Sequence, residues 1–181
     1  MNSETPSTIP FETAHWDLTP GRTVLVIIDP QNDFLHLEGR YAEKGIDIEH
    51  MRRCIEPLKQ LLKDVRAKNI PVVWTRHGTR GLEDGGPFMR LRPFLADGGL
   101  RQGTWGYEVY EELGPRAEDW YIEKTRLSAF FQTNLESVLR SLNADTVLIT
   151  GVLTNQCVAA TSKDAMFRDF KPIVIEECTG T

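Results

Sequence analysis

Continuous apolar runs alternate along the chain with stretches whose apolar residues recur every three or four positions. Residues 24–28 are entirely apolar, which is typical of a strand covered on both faces. Residues 48–68 carry apolar side chains on one helical stripe, and Asn69 is predicted to end this helix before Pro71. The same patterns predict the other elements: strands at residues 72–75, 120–123, 146–150 and 173–176, and helices at about residues 133–142 and 158–167.

Three local signals modify these elements. Pro57 inside the first helix predicts a kink or a late start. The run from Thr133 to Glu136 (TNLE) predicts a capping box that opens the second helix. Residues 76–116 are rich in glycine and lack a strong periodicity, so they are predicted to form a long irregular loop. Loops of that length in compact domains usually have a function or are disordered.

Alternating strands and helices predict an α/β fold. A doubly wound parallel sheet between two helical layers would form a three-layer α/β/α sandwich. A length of 181 residues suits one domain with a sizeable core, predicted at residues 18–181. Residues 1–17 are predicted to form a loose arm, able to cross to a neighbouring subunit.

Composition narrows the classes of partner and compartment. The chain has 21 basic and 26 acidic residues, a net charge of −5, and no long basic run, which argues against nucleic acid as a partner. Its apolar runs are too short to span a bilayer, and its polar N-terminus lacks the apolar core of a secretory signal. Three cysteines without paired spacing predict a reducing cytoplasm.

Asp29, Lys124 and Cys157 each follow a predicted strand. Ligands of open α/β sheets bind at the carboxyl ends of the strands, so these three side chains are expected to converge. Each also has an ordinary interpretation: Asp before Pro as a turn residue, Lys as a solvated surface residue and Cys as inert packing. Cys157 lies where a helix is predicted to begin, and the positive end of the helix dipole there favours a thiolate.

Three segments carry a resemblance to a known family: residues 26–34 (VIIDPQNDF), residues 123–130 (EKTRLSAF) and residues 151–158 (GVLTNQCV). In this order they resemble the isochorismatase-like cysteine hydrolases. That superfamily includes nicotinamidases and the hydrolases of ureidoacrylate, biuret, triuret and N-carbamoylsarcosine. The similarity runs from about residue 18 to the end of the chain.

The resemblance implies a catalytic triad of Asp29, Lys124 and Cys157, and a non-proline cis peptide between Val152 and Leu153. It also implies the strand order 3-2-1-4-5-6 and assembly as a homodimer or homotetramer. Family members continue after strand five through another helix, a sixth strand and a final helix. The chain is therefore expected to be a trimmed, C-terminally incomplete form of the domain.

Such a triad predicts cleavage of a C–N bond. Asp29 would act as general base, Lys124 would hold the carboxylate, and the sulfur would form a thioester with an amide or carbamoyl carbon. Backbone N–H groups of Leu153 and Cys157 are the predicted oxyanion donors. The predicted substrate is a small ureide or carbamoyl compound, as in the ureidoacrylate and other carbamoyl hydrolases that the chain most resembles.

Substrate-binding residues are predicted from motif position. Arg126 is a candidate to hold a substrate carboxylate with its planar fork, or else forms an ion pair within its loop. Trp105 is either a flat wall of the pocket or an anchor of its loop. The other predicted pocket residues are Asn32, Phe34, Phe130 and Asn155.

Other functions stay open. Nicotinamidases hold a metal with an Asp-x-His pattern, whereas this chain offers only His77 in that region, predicted to be a hydrogen-bonding loop residue. No metal and no cofactor are therefore predicted. An isochorismatase would not need the thiol, so Cys157 favours the amide-cleaving branch. A non-catalytic binding protein on the same scaffold and a redox-sensing thiol are the alternatives of another class.

Overall fold

The computed structural model describes residue 16 and residues 18–181. Apart from Trp16, the predicted arm at residues 1–17 lies outside the described residues. Within the described part of the chain, no helix has the length and apolar character needed to cross a bilayer.

Five parallel strands form one sheet in the order β3-β2-β1-β4-β5, which confirms the predicted α/β class and strand order. The strands that form the centre of the sheet, β1 and β4, are buried along their whole length, as their apolar sequences predict. The strands are β1 Thr23–Ile28, β2 Val72–His77, β3 Trp120–Lys124, β4 Thr146–Val152 and β5 Lys171–Gly180.

Helices cover both faces of this sheet. Successive residues of β1 enter two separate apolar cores, because side chains along a strand alternate between faces. Leu25 and Ile27 pack in the core that includes α4, while Val24, Val26 and Ile28 pack in the core that includes α7. The helices are α1 Asn32–Leu35, α2 Arg40–Glu43, α3 Glu49–Arg52, α4 Ile55–Ala67, α5 Leu82–Arg90, α6 Pro93–Ala96, α7 Leu135–Ser141 and α8 Ala159–Met166.

The prediction of one helix at residues 48–68 is wrong in one respect. The chain forms α3, breaks at Arg53 and Cys54, and then forms α4. Pro57 lies in the first turn of α4, where a missing N–H costs no helical hydrogen bond. The apolar stripe survives the break because both helices bury their apolar side chains in the same core. Asn69 takes a left-handed conformation (φ 55°) just after α4, as its predicted stop role requires.

The prediction of an irregular loop at residues 76–116 is wrong in part. Strand β2 continues to His77, and the segment then forms α5 and α6, followed by 3₁₀ turns at Trp105–Tyr107 and Glu111–Leu113. Helix α5 is kinked at Gly86 (φ 60°, ψ −157°), immediately before Pro87. Glycine and proline inside a short helix remove the periodic signal on which the prediction depends.

Two element ends also differ from expectation. Helix α7 begins at Leu135 with Asn134 as its N-cap, later than the predicted start at about residue 133, and Thr133 Oγ1 accepts from the Leu135 N–H (3.2 Å) rather than from the N–H of Glu136 that a capping box uses. Strand β5 extends to Gly180, so Cys178 lies within a strand rather than after one. Cys54 and Cys178 are both buried and unpaired.

The contact between β1 and β4 depends on Gly151. Gly151 pairs with Ile28, has φ +99°, and a Cβ atom there would lie 2.1 Å from the Ile28 carbonyl oxygen. A larger residue must therefore push apart the two strands that carry Asp29 and the turn of Cys157.

We expect Gly151→Ala to lower the free energy of unfolding by about 3 kcal/mol, from backbone strain plus overpacking. Gly114→Ala is the matched control, because Gly114 is also left-handed (φ +63°) but a Cβ atom there would meet no other atom within 4 Å. Backbone strain alone should lower the free energy of unfolding of Gly114→Ala by about 1 kcal/mol. Urea unfolding measures the stability of both variants. Equal losses of unfolding free energy would contradict the role of the close contact between Gly151 and Ile28.

Candidate active site

The carboxyl edge of the sheet brings together the three ionisable side chains that the sequence singled out. Asp29 follows β1, Lys124 is the last residue of β3, and Cys157 lies in the turn after β4. Their exposed fractions are 0%, 2% and 3%, respectively. Burial of a carboxylate and an ammonium is costly unless they are paired, so their contacts decide whether the arrangement is stable.

Asp29 is fixed by its backbone and by Thr75. Its φ of 47° is unusual for a residue other than glycine. The Asp29 N–H donates to Thr75 Oγ1 (3.0 Å), and the Thr75 hydroxyl donates to Asp29 Oδ1 (2.5 Å). This reciprocal pair leaves the second carboxylate oxygen, Oδ2, to face Lys124.

Lys124 connects the carboxylate with the thiol. Its ammonium lies 2.7 Å from Asp29 Oδ2 and donates to the Arg126 carbonyl (2.9 Å) and to Cys157 Sγ (3.4 Å). Burial opposes the charged form, but the charges of Asp29 and Cys157 outweigh it and raise the pKa of Lys124. The ammonium therefore stays charged and holds its two partners together.

Cys157 lies in a π-helical turn, Thr154–Val158, that precedes α8. The peptide bond between Val152 and Leu153, at the start of this turn, is cis. Burial raises the pKa of the Cys157 thiol to about 12, although the charge of Lys124 acts in the opposite direction. The expectation that the helix position alone favours a thiolate therefore fails, because loss of water outweighs it.

His77 is a neighbour of the thiol that the sequence reasoning missed. It ends β2, pairs in register with Lys124, and is 1% exposed rather than a loop residue. Its Nδ1 lies 4.0 Å from Cys157 Sγ, and its Nε2 has no protein partner within the described residues. Burial and the charge of Lys124 lower its pKa well below the usual value, so the ring is neutral. Its position just after the predicted strand at residues 72–75 is the sequence signal that could have identified His77 as a site residue.

The same cluster has donors that suit a metal ion. One ligand atom each from Asp29, His77 and Cys157 lies within 4.8 Å of the others. However, the Lys124 ammonium already binds the Asp29 carboxylate and would repel a cation there. The contacts therefore favour the ammonium as the positive charge of this site.

The predicted substrate-binding residues do not form one pocket. Asn32 donates to the Trp105 carbonyl (2.8 Å), and both line a cavity of about 340 Å³ beside α1. Phe34 is buried and its ring contacts Tyr41. Phe130 is buried and stacks on Phe170. These two phenylalanines contribute to the packing of the cores on opposite faces of the sheet.

Two further candidates make contacts other than those predicted. Asn155 is exposed and accepts a hydrogen bond from the Thr181 hydroxyl (2.8 Å). Arg126 donates through Nη1 to the carbonyls of Asp84 and Thr125, both at 2.8 Å. Its expected loop ion pair is not formed within residues 18–181, since its bonds go to neutral carbonyl oxygens.

Helix α5 and the turn after it, residues 82–92, form a cover over Cys157 and His77. The Phe88 ring packs on the His77 ring, with centroids 5.0 Å apart. The Arg92 guanidinium lies 3.9 Å from the Phe88 centroid and donates to Oε1 of Gln156 (2.9 Å), the residue before Cys157. Because this cover lacks a periodic pattern in the sequence, neither Phe88 nor Arg92 is among the predicted candidates.

A five-stranded parallel sheet with a buried Asp–Lys–Cys cluster at its carboxyl edge defines an isochorismatase-like α/β fold. The family model of the Isochorismatase domain matches residues 23–181. The chain therefore belongs to the isochorismatase family, as the three motifs indicated.

Named relatives refine this placement. The chain is 33% identical over 187 residues to the ureidoacrylate amidohydrolase RutB of Agrobacterium fabrum, covering 95% of this chain and 82% of that protein. The RutB of Klebsiella pneumoniae is 31% identical over 186 residues, with 95% and 79% covered. These relatives are named hydrolases of C–N bonds other than peptide bonds, and the chain is a hydrolase of that class.

Solved structures agree with the fold. A cysteine hydrolase from Pseudomonas syringae has a TM-score of 0.86 at 28% identity, covering 96% of this chain and 79% of the other. An N-carbamoylsarcosine amidase from Thermoplasma acidophilum has a TM-score of 0.76 at 28% identity, with 88% and 84% covered.

The ion pair gives a stability prediction. Lys124→Met should lower the free energy of unfolding by about 3–5 kcal/mol, because it leaves the buried Asp29 carboxylate without its partner. Adding Asp29→Asn should restore part of that loss. Lys163→Met on the exposed surface of α8 is the control and should change stability by less than about 0.5 kcal/mol. A Lys124→Met protein as stable as the control would contradict the buried charge pair.

Proposed function

We propose that the protein is a cysteine-dependent amidohydrolase that cleaves a C–N bond of a small ureide or carbamoyl compound through a thioester intermediate. The observation that carries the proposal is the buried set of contacts among Asp29, Lys124 and Cys157. A nucleophile, a base and a fixed positive charge lie within reach of one another, as nucleophilic catalysis requires.

In the first half of the reaction, Cys157 Sγ attacks the carbonyl carbon while its proton passes to Asp29. Lys124 stabilises both the carboxylate and the developing charge on sulfur. The carbonyl oxygen becomes an oxyanion, for which the N–H groups of Leu153 and Cys157 are the proposed donors. As the C–N bond breaks, Asp29 returns its proton to the leaving nitrogen, which departs as an amine or ammonia.

In the second half, Asp29 takes a proton from a water molecule, and the resulting hydroxide attacks the thioester carbon. The C–S bond breaks, the sulfur regains a proton from Asp29, and the acyl group leaves as a carboxylic or carbamic acid, which then loses its proton to solvent. The sum of the two halves is hydrolysis of one C–N bond by one water, with no change in oxidation state. None of the residues is consumed.

Two relatives support the substrate class. The names ureidoacrylate amidohydrolase and N-carbamoylsarcosine amidase both describe compounds that contain a carbamoyl group on nitrogen. We extend this chemistry to the present chain because its thiol, carboxylate and ammonium suit attack on such a carbon.

Substrate entry requires the cover to move. Cys157 is 3% exposed, and the contacts of Phe88 and Arg92 lie directly over its neighbours. We propose that α5 and α6 open to admit the substrate and close before attack, which excludes water from the charged site. Assembly as a homodimer or homotetramer in a cytoplasmic compartment stays a prediction, which sedimentation and cell fractionation can test.

The thioester is the most specific product of this mechanism. Rapid quenching of the protein with ureidoacrylate, biuret and N-carbamoyl amino acids should show, by mass spectrometry, an acyl adduct on the peptide that carries Cys157. Cys157→Ala should abolish both the adduct and ammonia release, whereas Cys54→Ala should retain them because Cys54 packs in the apolar core on the opposite face of the sheet from Cys157. Full activity in Cys157→Ala would refute the proposal, and a disulfide or sulfenic acid without turnover would favour a redox-sensing thiol.

The raised thiol pKa gives a pH prediction. Below its pKa of about 12 the Cys157 thiol keeps its proton, so the thiolate fraction is small at neutral pH. Alkylation of Cys157 by iodoacetamide should therefore be more than about 100-fold slower than that of glutathione at pH 8, and should still be rising at pH 10. Peptide mapping locates the label. A plateau reached near pH 7 would show instead that the free enzyme carries a thiolate.

A further inference from the structure

Arg92 stands at the end of a chain of contacts that begins at the nucleophile. Cys157 Sγ lies 4.0 Å from His77 Nδ1, the His77 ring packs on Phe88, and the Arg92 guanidinium lies 3.9 Å from the Phe88 centroid. Arg92 Nη2 also donates a hydrogen bond to Oε1 of Gln156, the residue before Cys157. The guanidinium is therefore held near the thiol by contacts on two sides.

The charge of Arg92 has no acidic partner in the part of the chain that the structure describes. Within residues 18–181, no carboxylate oxygen lies within ion-pair distance of its guanidinium, and its hydrogen-bond acceptor is a neutral amide. Of the other partly buried arginines, Arg40, Arg66 and Arg76 are paired with carboxylates, whereas Arg101 and Arg126 donate to neutral oxygens that belong to their own loops and to the segments beside them. An unpaired guanidinium beside a buried site is the arrangement expected of an anion-binding group.

Arg126, the residue that motif position favoured for this role, is differently engaged. Its Nη1 donates to two backbone carbonyls, one of which belongs to Asp84 in α5. These bonds tie the loop after β3 to the cover. Arg126 is therefore a positioning residue for α5, whereas Arg92 donates a single bond to the side-chain amide of Gln156.

The electrostatic surroundings agree with this assignment. Burial first, and then the charges of Lys124, Arg126 and Arg92, lower the pKa of His77, so all three cations act on the same ring. Asp29, a carboxylate that contacts this set, is neutralised by Lys124. Among the described residues, the positive charge of the two arginines has no carboxylate within ion-pair distance, which favours an anionic ligand over a neutral one.

We propose that Arg92 is a specificity-determining residue that binds the carboxylate of a ureido or carbamoyl substrate, while Cys157 attacks the carbonyl at the other end of the same molecule. This rests on the proposed function. A carboxylate accepts two parallel hydrogen bonds from a guanidinium, and such charge-assisted bonds are stronger than the bond to the Gln156 amide that they replace. Substrate binding would then replace the Arg92–Gln156 contact, and neutral ureides would be poor substrates.

The test compares a carboxylic acid substrate with its uncharged methyl ester. Hydrolysis of ureidoacrylate and of its methyl ester is measured for the wild type, Arg92→Gln and Arg92→Lys. The wild type should prefer the acid. Arg92→Gln should lower kcat/KM for the acid on the order of 100-fold and change that for the ester by less than about threefold, because the charge-assisted bonds that it loses to the substrate are made only by a carboxylate. Arg92→Lys should be intermediate, since it keeps the charge without the fork.

Arg90→Gln is the control, because Arg90 is an exposed cation at the end of α5, two residues before Arg92, and it should match the wild type on both compounds. An equal loss for acid and ester in Arg92→Gln would overturn the proposal and leave Arg92 as a latch that only holds the cover closed. A wild type that hydrolyses the acid and the ester equally well would overturn it as well.

Binding separates this proposal from the proposed function. Calorimetry on Cys157→Ala, which cannot form a thioester, measures affinity for the acid and the ester without turnover. Tighter binding of the acid that disappears on adding Arg92→Gln supports the assignment even if the wild type hydrolyses neither compound, an outcome that refutes only the proposed chemistry. Equal affinity for the two compounds, or binding of neither, refutes the assignment.

Discussion

The ion pair between Asp29 and Lys124 is the interaction on which the site depends. Both side chains are removed from water, so neither charge is tolerable without the other. The pair joins the ends of β1 and β3, which are not neighbours in the sheet but lie on either side of β2. It therefore fixes the geometry of the carboxyl edge at the same time as it supplies the charges for the proposed chemistry.

Burial also decides the state of the nucleophile. A thiol beside an ammonium would ordinarily ionise more easily, yet removal from water raises the pKa of Cys157 more than Lys124 lowers it. We infer that the proton leaves the sulfur only when a substrate is attacked, with Asp29 as its acceptor. The cover formed by α5 and the turn after it contributes to this burial, and Phe88 and Arg92 join the cover to the residues that surround the sulfur.

Fold class and the convergence of the three reactive residues can be predicted from the residue pattern, whereas the strand order is implied by the resemblance to the family. Residues 24–28 and 146–150 are buried on both faces of the sheet, and such strands are recognised in the sequence as mainly apolar runs. The cover cannot be predicted in this way, because Gly86 and Pro87 interrupt α5 and because its contacts are long-range. His77 escapes prediction for a different reason. Its side chain suggests a metal ligand or a loop residue, although it ends a strand just as Lys124 does.

The most direct test of this mechanism is the solvent isotope effect on acylation. Single-turnover formation of the Cys157 adduct is followed in H₂O and in D₂O at matched positions on the pH profile. Transfer of the sulfur proton to Asp29 during attack predicts slower acylation in D₂O. Acylation that is equally fast or faster in D₂O would mean that the proton has left the sulfur before attack, which contradicts the mechanism.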